Sequence, residues 1–192
     1  MSRDPLNVKR LKGARVGCSK QSLRALRFKN MKAGILTISD KGARQEREDA
    51  SGPAVSALLS AMGAVILKYE IIPDEVEIIS AKLVEYADAL HLDIVVTTGG
   101  TGVAPRDVTP EATRMVLDKE VPGMAEAMRM ESLKKTPHAM ISRAMAGIRG
   151  RTLIINLPGS PKAAKENLTA LIKAIPHAVS KIQGDPSECA TP

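Results

Sequence analysis

Three short segments of this 192-residue chain combine small, flexible and polar residues in a way that suits phosphate chemistry. They are Ser39-Asp40-Lys41-Gly42, Thr98-Gly99-Gly100-Thr101-Gly102, and Leu157-Pro158-Gly159-Ser160-Pro161-Lys162. In the middle segment Gly99, Gly100 and Gly102 crowd around Thr101. Residues without a Cβ reach positive φ and let backbone N–H groups approach a ligand closely. Successive N–H groups in such a turn make a concave anion site. The segment is neither a Walker A loop nor a GxGxxG fingerprint, and taken alone it reads equally as a tight strand-exit turn. Two acids give it more meaning. Asp107 lies just past the glycines and ahead of Thr109, and Asp49 precedes Ser51-Gly52-Pro53. Each stands where a helix should begin, so each alone reads as a cap. A carboxylate aimed at phosphates instead needs a divalent cation between them, typically Mg²⁺. On residue chemistry alone Asp49 and Asp107 stay open between helix caps and Mg²⁺ ligands, and Arg106 and Lys162 between solvated cations and groups that neutralise phosphate charge.

These segments need elements to hold them at one place, and the pattern supplies strands and helices in alternation. Residues 33–40 form an apolar run ending in polar residues, Val65-Ile66-Leu67 a second strand, and Ile94-Val95-Val96-Thr97-Thr98 a third. The third is a near-continuous β-branched run, as expected of a parallel strand covered on both faces. Thr152–Asn156 is a further strand, paired with Ala146-Gly147-Ile148. Helices are expected from Ser51-Gly52-Pro53 to Gly63, from Pro73-Asp74-Glu75, from Thr109-Pro110-Glu111 and from Ser160-Pro161, with Pro176 interrupting the last. Residues 119–143 read as Met-rich, helical and irregular, with Met115, Met124, Met128 and Met130 as core filler or a subunit contact. The fold class is thus α/β: three layers, a mostly parallel central sheet with helices on both faces. Ligands of such sheets bind at the carboxyl ends of the strands, near a switch in strand order, and all three polar segments leave strands at that edge.

Composition narrows the partners. Residues 1–32 hold ten Lys or Arg against Asp4, a net +9; the rest carries 18 basic and 20 acidic residues, a net of −2. The basic character belongs to the N-terminal segment, so an argument for nucleic acid fails for the globular part, which also lacks aromatic stacking motifs and zinc-finger spacing. Residues 1–32 read as a basic arm (a solvated tail, an early-assigned start ahead of Met31, or a transit peptide), 33–183 as one domain, and 184–192 as a tail. Cys18 and Cys189 make neither a disulfide framework nor a metal site, which suggests a reducing, cytoplasmic compartment. No stretch approaches the length of a membrane span, and His91, His138 and His177 share no metal-binding spacing.

The run from Thr97 to Thr113, TTGGTGVAPRDVTPEAT, closely resembles the signature of the molybdopterin-binding family of MogA and MoaB proteins and the gephyrin-type G domain. Thr37-Ile38-Ser39-Asp40, Asp49-Ala50-Ser51-Gly52-Pro53 and Asn156–Ala163 resemble further family segments, in the family's order, across about residues 33–183. The resemblance implies Mg-ATP-dependent adenylylation of molybdopterin with release of pyrophosphate, as a step of molybdenum cofactor biosynthesis. It implies Asp49 and Asp107 in catalysis, and Ser39, Asp40, Gly99, Gly100, Thr101, Gly102, Arg106, Ser142, Pro158, Gly159, Ser160 and Lys162 in binding. ATP and molybdopterin would be substrates, a molybdate-inserting protein a partner, and a homotrimer the assembly. Two alternatives remain open: a MoaB-type protein that binds molybdopterin without catalysis, and a nucleotide hydrolase or deamidase of the competence-damage-inducible type. The arm lies outside the resemblance. A chain starting at Met31 should accordingly keep its activity and its melting temperature within a few degrees, measured by assay and thermal melt.

Overall fold

The computed structural model describes residues 30–186, so all but the end of the basic arm lies outside the described residues. Six strands form one sheet in the order β2-β1-β3-β6-β5-β4. β1 (Lys32–Ile38), β2 (Val65–Ile72), β3 (Ile94–Thr98) and β6 (Thr152–Leu157) run parallel. β5 (Ala146–Arg149) pairs with β6 as expected, in the antiparallel sense, and the two-residue β4 (Lys119–Glu120) closes the far edge against it.

Helices cover both faces. The short α1 (Asp40–Ala43) leaves β1 at once, capped by the Ser39 hydroxyl, which accepts from the Gly42 N–H at 3.1 Å. α2 (Ser51–Ala61), α5 (Pro122–Leu133), α6 (Pro161–Leu171) and α7 (Ile175–Ile182) lie on one face, around a core of Ile35, Val55, Leu59, Val96, Met128, Ile155 and Leu168. α3 (Val76–Val84), which continues through a π turn at Glu85–Ala89, and α4 (Thr109–Val116) lie on the other, around Leu36, Ile79, Leu83, Tyr86, Val95 and Ile154. Alternate residues of β3 therefore enter different cores, which is why its sequence is apolar throughout. The three-layer α/β expectation holds.

Some details differ from the pattern. Met31 is buried in the core and Lys32 opens β1, its N–H bonded to the Asp93 carboxylate at 2.7 Å, so the core begins two residues earlier than residue 33. β2 runs five residues past Leu67, because as an edge strand with exposed Val65, Leu67 and Tyr69 it lacks the unbroken apolar signal of a buried one. Pro176 begins α7 rather than interrupting a helix, at a first-turn position where its missing N–H has no partner to lose. Met124 and Met128 are core, while Met115 and Met130 stand on the surface.

The chain turns back on itself beside β1: β2 is laid on one side and β3 on the other. That is the switch point, and the carboxyl ends of β1, β3 and β6 converge there.

Candidate active site

The glycine loop leaving β3 is shaped by its neighbours. Gly99 and Gly100 adopt φ of +109° and +62°, a region that favours glycine, and a side chain at Gly99 would strike the Ile38 carbonyl. Gly102 serves a different need: a Cβ there would lie 2.8 Å from the Asp107 carboxylate. Thr109, the first residue of α4, anchors the loop through its hydroxyl to the Gly99 carbonyl (2.9 Å) and its N–H to the Gly100 carbonyl (3.1 Å). The β6 exit packs beside it, with the Thr98 hydroxyl donating to the Pro158 carbonyl at 2.8 Å and Gly159 against Gly99.

Two clefts open on either side of this saddle. The first, 390 Å³, is lined by Ser39, Asp49, Ser51, Gly99, Gly100, Asp107, Gly159 and Ser160, together with Thr37, Arg47 and Asp74. The second, 410 Å³, holds Gly100, Thr101, Gly102, Asp107, Ser142, Pro158 and Gly159, with Met128, Arg129, Lys135, His138, Ile141 and Asn167 on its outer walls. Gly100, Asp107 and Gly159 belong to both. Asp40, Arg106 and Lys162 line neither. The Arg106 guanidinium grips Asp40 with two bonds of 2.9 and 3.0 Å and reaches Glu75 at 2.8 Å, an exposed cluster that holds the Asp40 carboxyl below its usual range.

The acids divide by environment. Both Asp49 oxygens are already taken. They accept from the Thr37 hydroxyl (2.5 Å), the Ser51 N–H (2.8 Å) and hydroxyl (2.9 Å), the Gly52 N–H (3.1 Å) and the Tyr69 hydroxyl. Burial alone would raise its pKa, but these donors outweigh it and hold the group below the ordinary value. The same arrangement pushes the Tyr69 hydroxyl up to about 12, through burial and the bond to Asp49. Asp49 thus ties β1, β2 and the start of α2 together. Asp107 is less committed: one oxygen accepts from the Ala104 N–H at 2.8 Å, and the carboxylate faces the saddle.

Asp74, which the sequence pattern marks only as a helix-start acid, lines the first cleft. It exchanges bonds with Asp40, accepting from the Asp40 N–H at 2.8 Å and donating its own N–H to the Asp40 carboxylate at 3.1 Å. Its other oxygen lies 3.0 Å from where a Gly100 Cβ would stand. Burial, with added repulsion from Asp40 and Asp107, raises its pKa. A carboxylate whose charge is disfavoured, facing a cleft, is the type of group that a cation or substrate proton would satisfy. Its only sequence signal is Pro73-Asp74-Glu75 after a strand, which is indistinguishable from an ordinary helix start.

These features define a class: an α/β protein with paired clefts at the carboxyl edge of its sheet, where two carboxylates meet a glycine loop. The chain belongs to the family described as a probable molybdopterin binding domain, which matches residues 34–177. It is 47% identical to the molybdopterin adenylyltransferase of Helicobacter pylori over 79% of this chain and 88% of that one. It superposes on MoaB from Thermus thermophilus with a TM-score of 0.77 at 52% identity, covering 82% of this chain and 99% of that one. The tungsten cofactor synthesizing protein MoaB of Pyrococcus furiosus gives 0.74 at 38% identity, covering 81% and 98%. Among the described residues no helix is long and apolar enough to cross a membrane.

Proposed function

We propose that this chain is a molybdopterin adenylyltransferase of molybdenum cofactor biosynthesis, consuming Mg-ATP and releasing pyrophosphate. The observation that carries the reading is the meeting of two clefts at Gly100, Asp107 and Gly159. A transfer between two phosphate-bearing molecules requires such a junction, since each brings its own bulky group and the phosphates must meet. The second cleft, with Met128, Ile141 and Ala163 among Arg129, Lys135 and Asn167, suits a flat ring with apolar faces and polar edges. The 47% identity to a named adenylyltransferase across most of both chains supports the same conclusion.

In the reaction the terminal phosphate of molybdopterin attacks the α-phosphorus of ATP. The new P–O bond forms as the α–β bond breaks, and pyrophosphate carries away the electron pair. The nucleophile is already ionised, so positioning and charge neutralisation do the work and no protein nucleophile is needed. The loop amides hold phosphate oxygens at the saddle. The sequence points to Asp49 and Asp107 as the Mg²⁺ ligands. We place Asp74 beside Asp107 in that role instead, because both Asp49 oxygens already accept from donors of the fold. Asp107 and Asp74 flank the saddle beside the Cβ-free Gly102 and Gly100 and would hold Mg²⁺ there. Mg²⁺ characteristically takes one or two carboxylates and completes its shell with phosphates and water, and it would neutralise charge on the transferring phosphates. Asp49 shapes the first cleft by fixing Thr37, Ser51 and Tyr69; Ser39 and Ser160 line that cleft, and Ser142 lines the second.

Incubating the protein with molybdopterin, ATP and Mg²⁺ should yield adenylylated molybdopterin and pyrophosphate. Pterin binding without pyrophosphate release would favour a binding protein, and turnover of pyridine nucleotides instead would favour the competence-damage-inducible type of chemistry. The assembly we propose is a homotrimer, to which exposed Met115 and Met130 would lend apolar surface. Light scattering at micromolar concentration should give three times the chain mass, and a monomer would reject it.

A further inference from the structure

The segment from Thr101 to Asp107 is exposed through Val103, Ala104, Pro105 and Arg106, yet it carries the carboxylate on which the site depends. Within itself it makes only a small turn, closed by the Asp107 N–H to the Ala104 carbonyl (2.9 Å) and the Ala104 N–H to the Asp107 carboxylate (2.8 Å). Among the described residues, two arginines tie it to the rest of the fold. One tie is the Arg106 cluster with Asp40 and Glu75, whose guanidinium side chain is 55% exposed. Exposed ion pairs of this kind hold geometry weakly.

The other tie is Arg143, and it is of a different quality. Its backbone N–H donates to the Thr101 carbonyl at 2.9 Å, and its Nε donates to the Gly102 carbonyl at 2.6 Å. One terminal nitrogen donates to the Asp107 carbonyl, and the other to Glu111 on α4. A single residue thus grips the segment at its start, at its last glycine and at Asp107 itself, while Glu111 fixes the guanidinium from behind. A planar fork with donors at set angles can do this, whereas an ammonium on a flexible stem cannot reproduce it.

We propose that Arg143 is a positioning residue: it sets the Asp107 carboxylate at the junction of the two clefts and acts on the reaction only through it. The inference rests on the adenylylation reading for its rate measurement. Ser142, its neighbour, lines the second cleft, so the same short stretch of chain forms one wall of that cleft and holds the loop between the two.

The test compares Arg143→Lys and Arg143→Gln with the unaltered protein, alone and combined with Asp107→Asn. Arg143→Lys keeps the charge and loses the fork. It should melt close to the parent and lower kcat on the order of tenfold or more, the scale of a displaced catalytic group, with KM for ATP and molybdopterin nearly unchanged. In the Asp107→Asn background the same substitution should remove little further rate, because the group it positions has lost its charge. Lysine that restores full kcat relative to glutamine would overturn the proposal, as would effects that multiply in the double variant. Hydrogen exchange of the 101–107 amides, read without substrate, should accelerate in both Arg143 variants, and unchanged exchange would also overturn it. That readout stands even if the parent makes no adenylylated product, an outcome that sinks the reaction and not the loop assignment.

Discussion

Asp107→Asn should fold and melt as the parent does and lose on the order of 10²-fold or more in adenylylation rate, the scale found when a preorganised electrostatic group is removed. Asparagine keeps the size of the side chain and one acceptor. Its amide oxygen can still accept from the Ala104 N–H, so the turn that presents residue 107 closes as before. The Asp107 carbonyl remains held by Arg143 and its N–H by Ala104, since both are backbone groups. What disappears is the negative charge beside Gly102, at the one place both clefts share. If Asp107 were only a turn residue, that loss would leave the rate alone. Pyrophosphate release followed alongside thermal melts separates the cases, and full activity in the asparagine variant would sink the catalytic assignment.

Much of this site is legible in the sequence because glycine and proline announce backbone geometry. The glycine cluster after a β-branched run, and Pro53, Pro110 and Pro161 in first turns, place the loops at the strand ends where they stand. What the chain order hides is which polar group each acid meets. Asp49 and Asp74 look alike in sequence, each before a helix. Only the pairing of β1 with β2 brings Tyr69 and Thr37 onto Asp49, and only the α3 entry brings Asp74 under Gly100. Arg143 is half hidden for the same reason: the pair Ser142-Arg143 resembles a recurring family pair, but nothing in its spacing shows that the arginine grips carbonyls some forty residues earlier in the chain. Arg106 shows the converse, a cation beside a phosphate loop whose partners turn out to be acids of its own fold.

The two acids that look alike should respond to asparagine with opposite signs. Asp74 has its pKa raised above the ordinary 3.8 by burial and by nearby acids, so the folded chain holds that proton more tightly than the unfolded one. Its stabilising contribution is complete below pH 3.8 and is lost as pH rises through the raised value, leaving the ionised group a burden at neutrality. Asp74→Asn keeps an acceptor for the Asp40 N–H and removes that burden. It should melt higher than the parent at pH 7, by about 2–4 °C per kcal/mol relieved in a domain of this size. The gap should vanish below pH 3.8, and the rate should fall on the order of 10²-fold. A gain in stability with a loss of rate is the mark of a group kept for function. Asp49 has its pKa depressed by its donors, so its contribution is present above pH 3.8 and is lost as pH falls through the lowered folded value. Asparagine there turns an NH₂ toward groups that are themselves donors and should cost roughly 1–3 kcal/mol at pH 7, a penalty that shrinks in acid. Activity per folded molecule should fall less in Asp49→Asn than in Asp74→Asn. Melting curves from pH 3 to 8 and rates at pH 7 on the two variants decide the matter. A lower melting temperature for Asp74→Asn together with an unchanged one for Asp49→Asn would exchange the roles given to these residues.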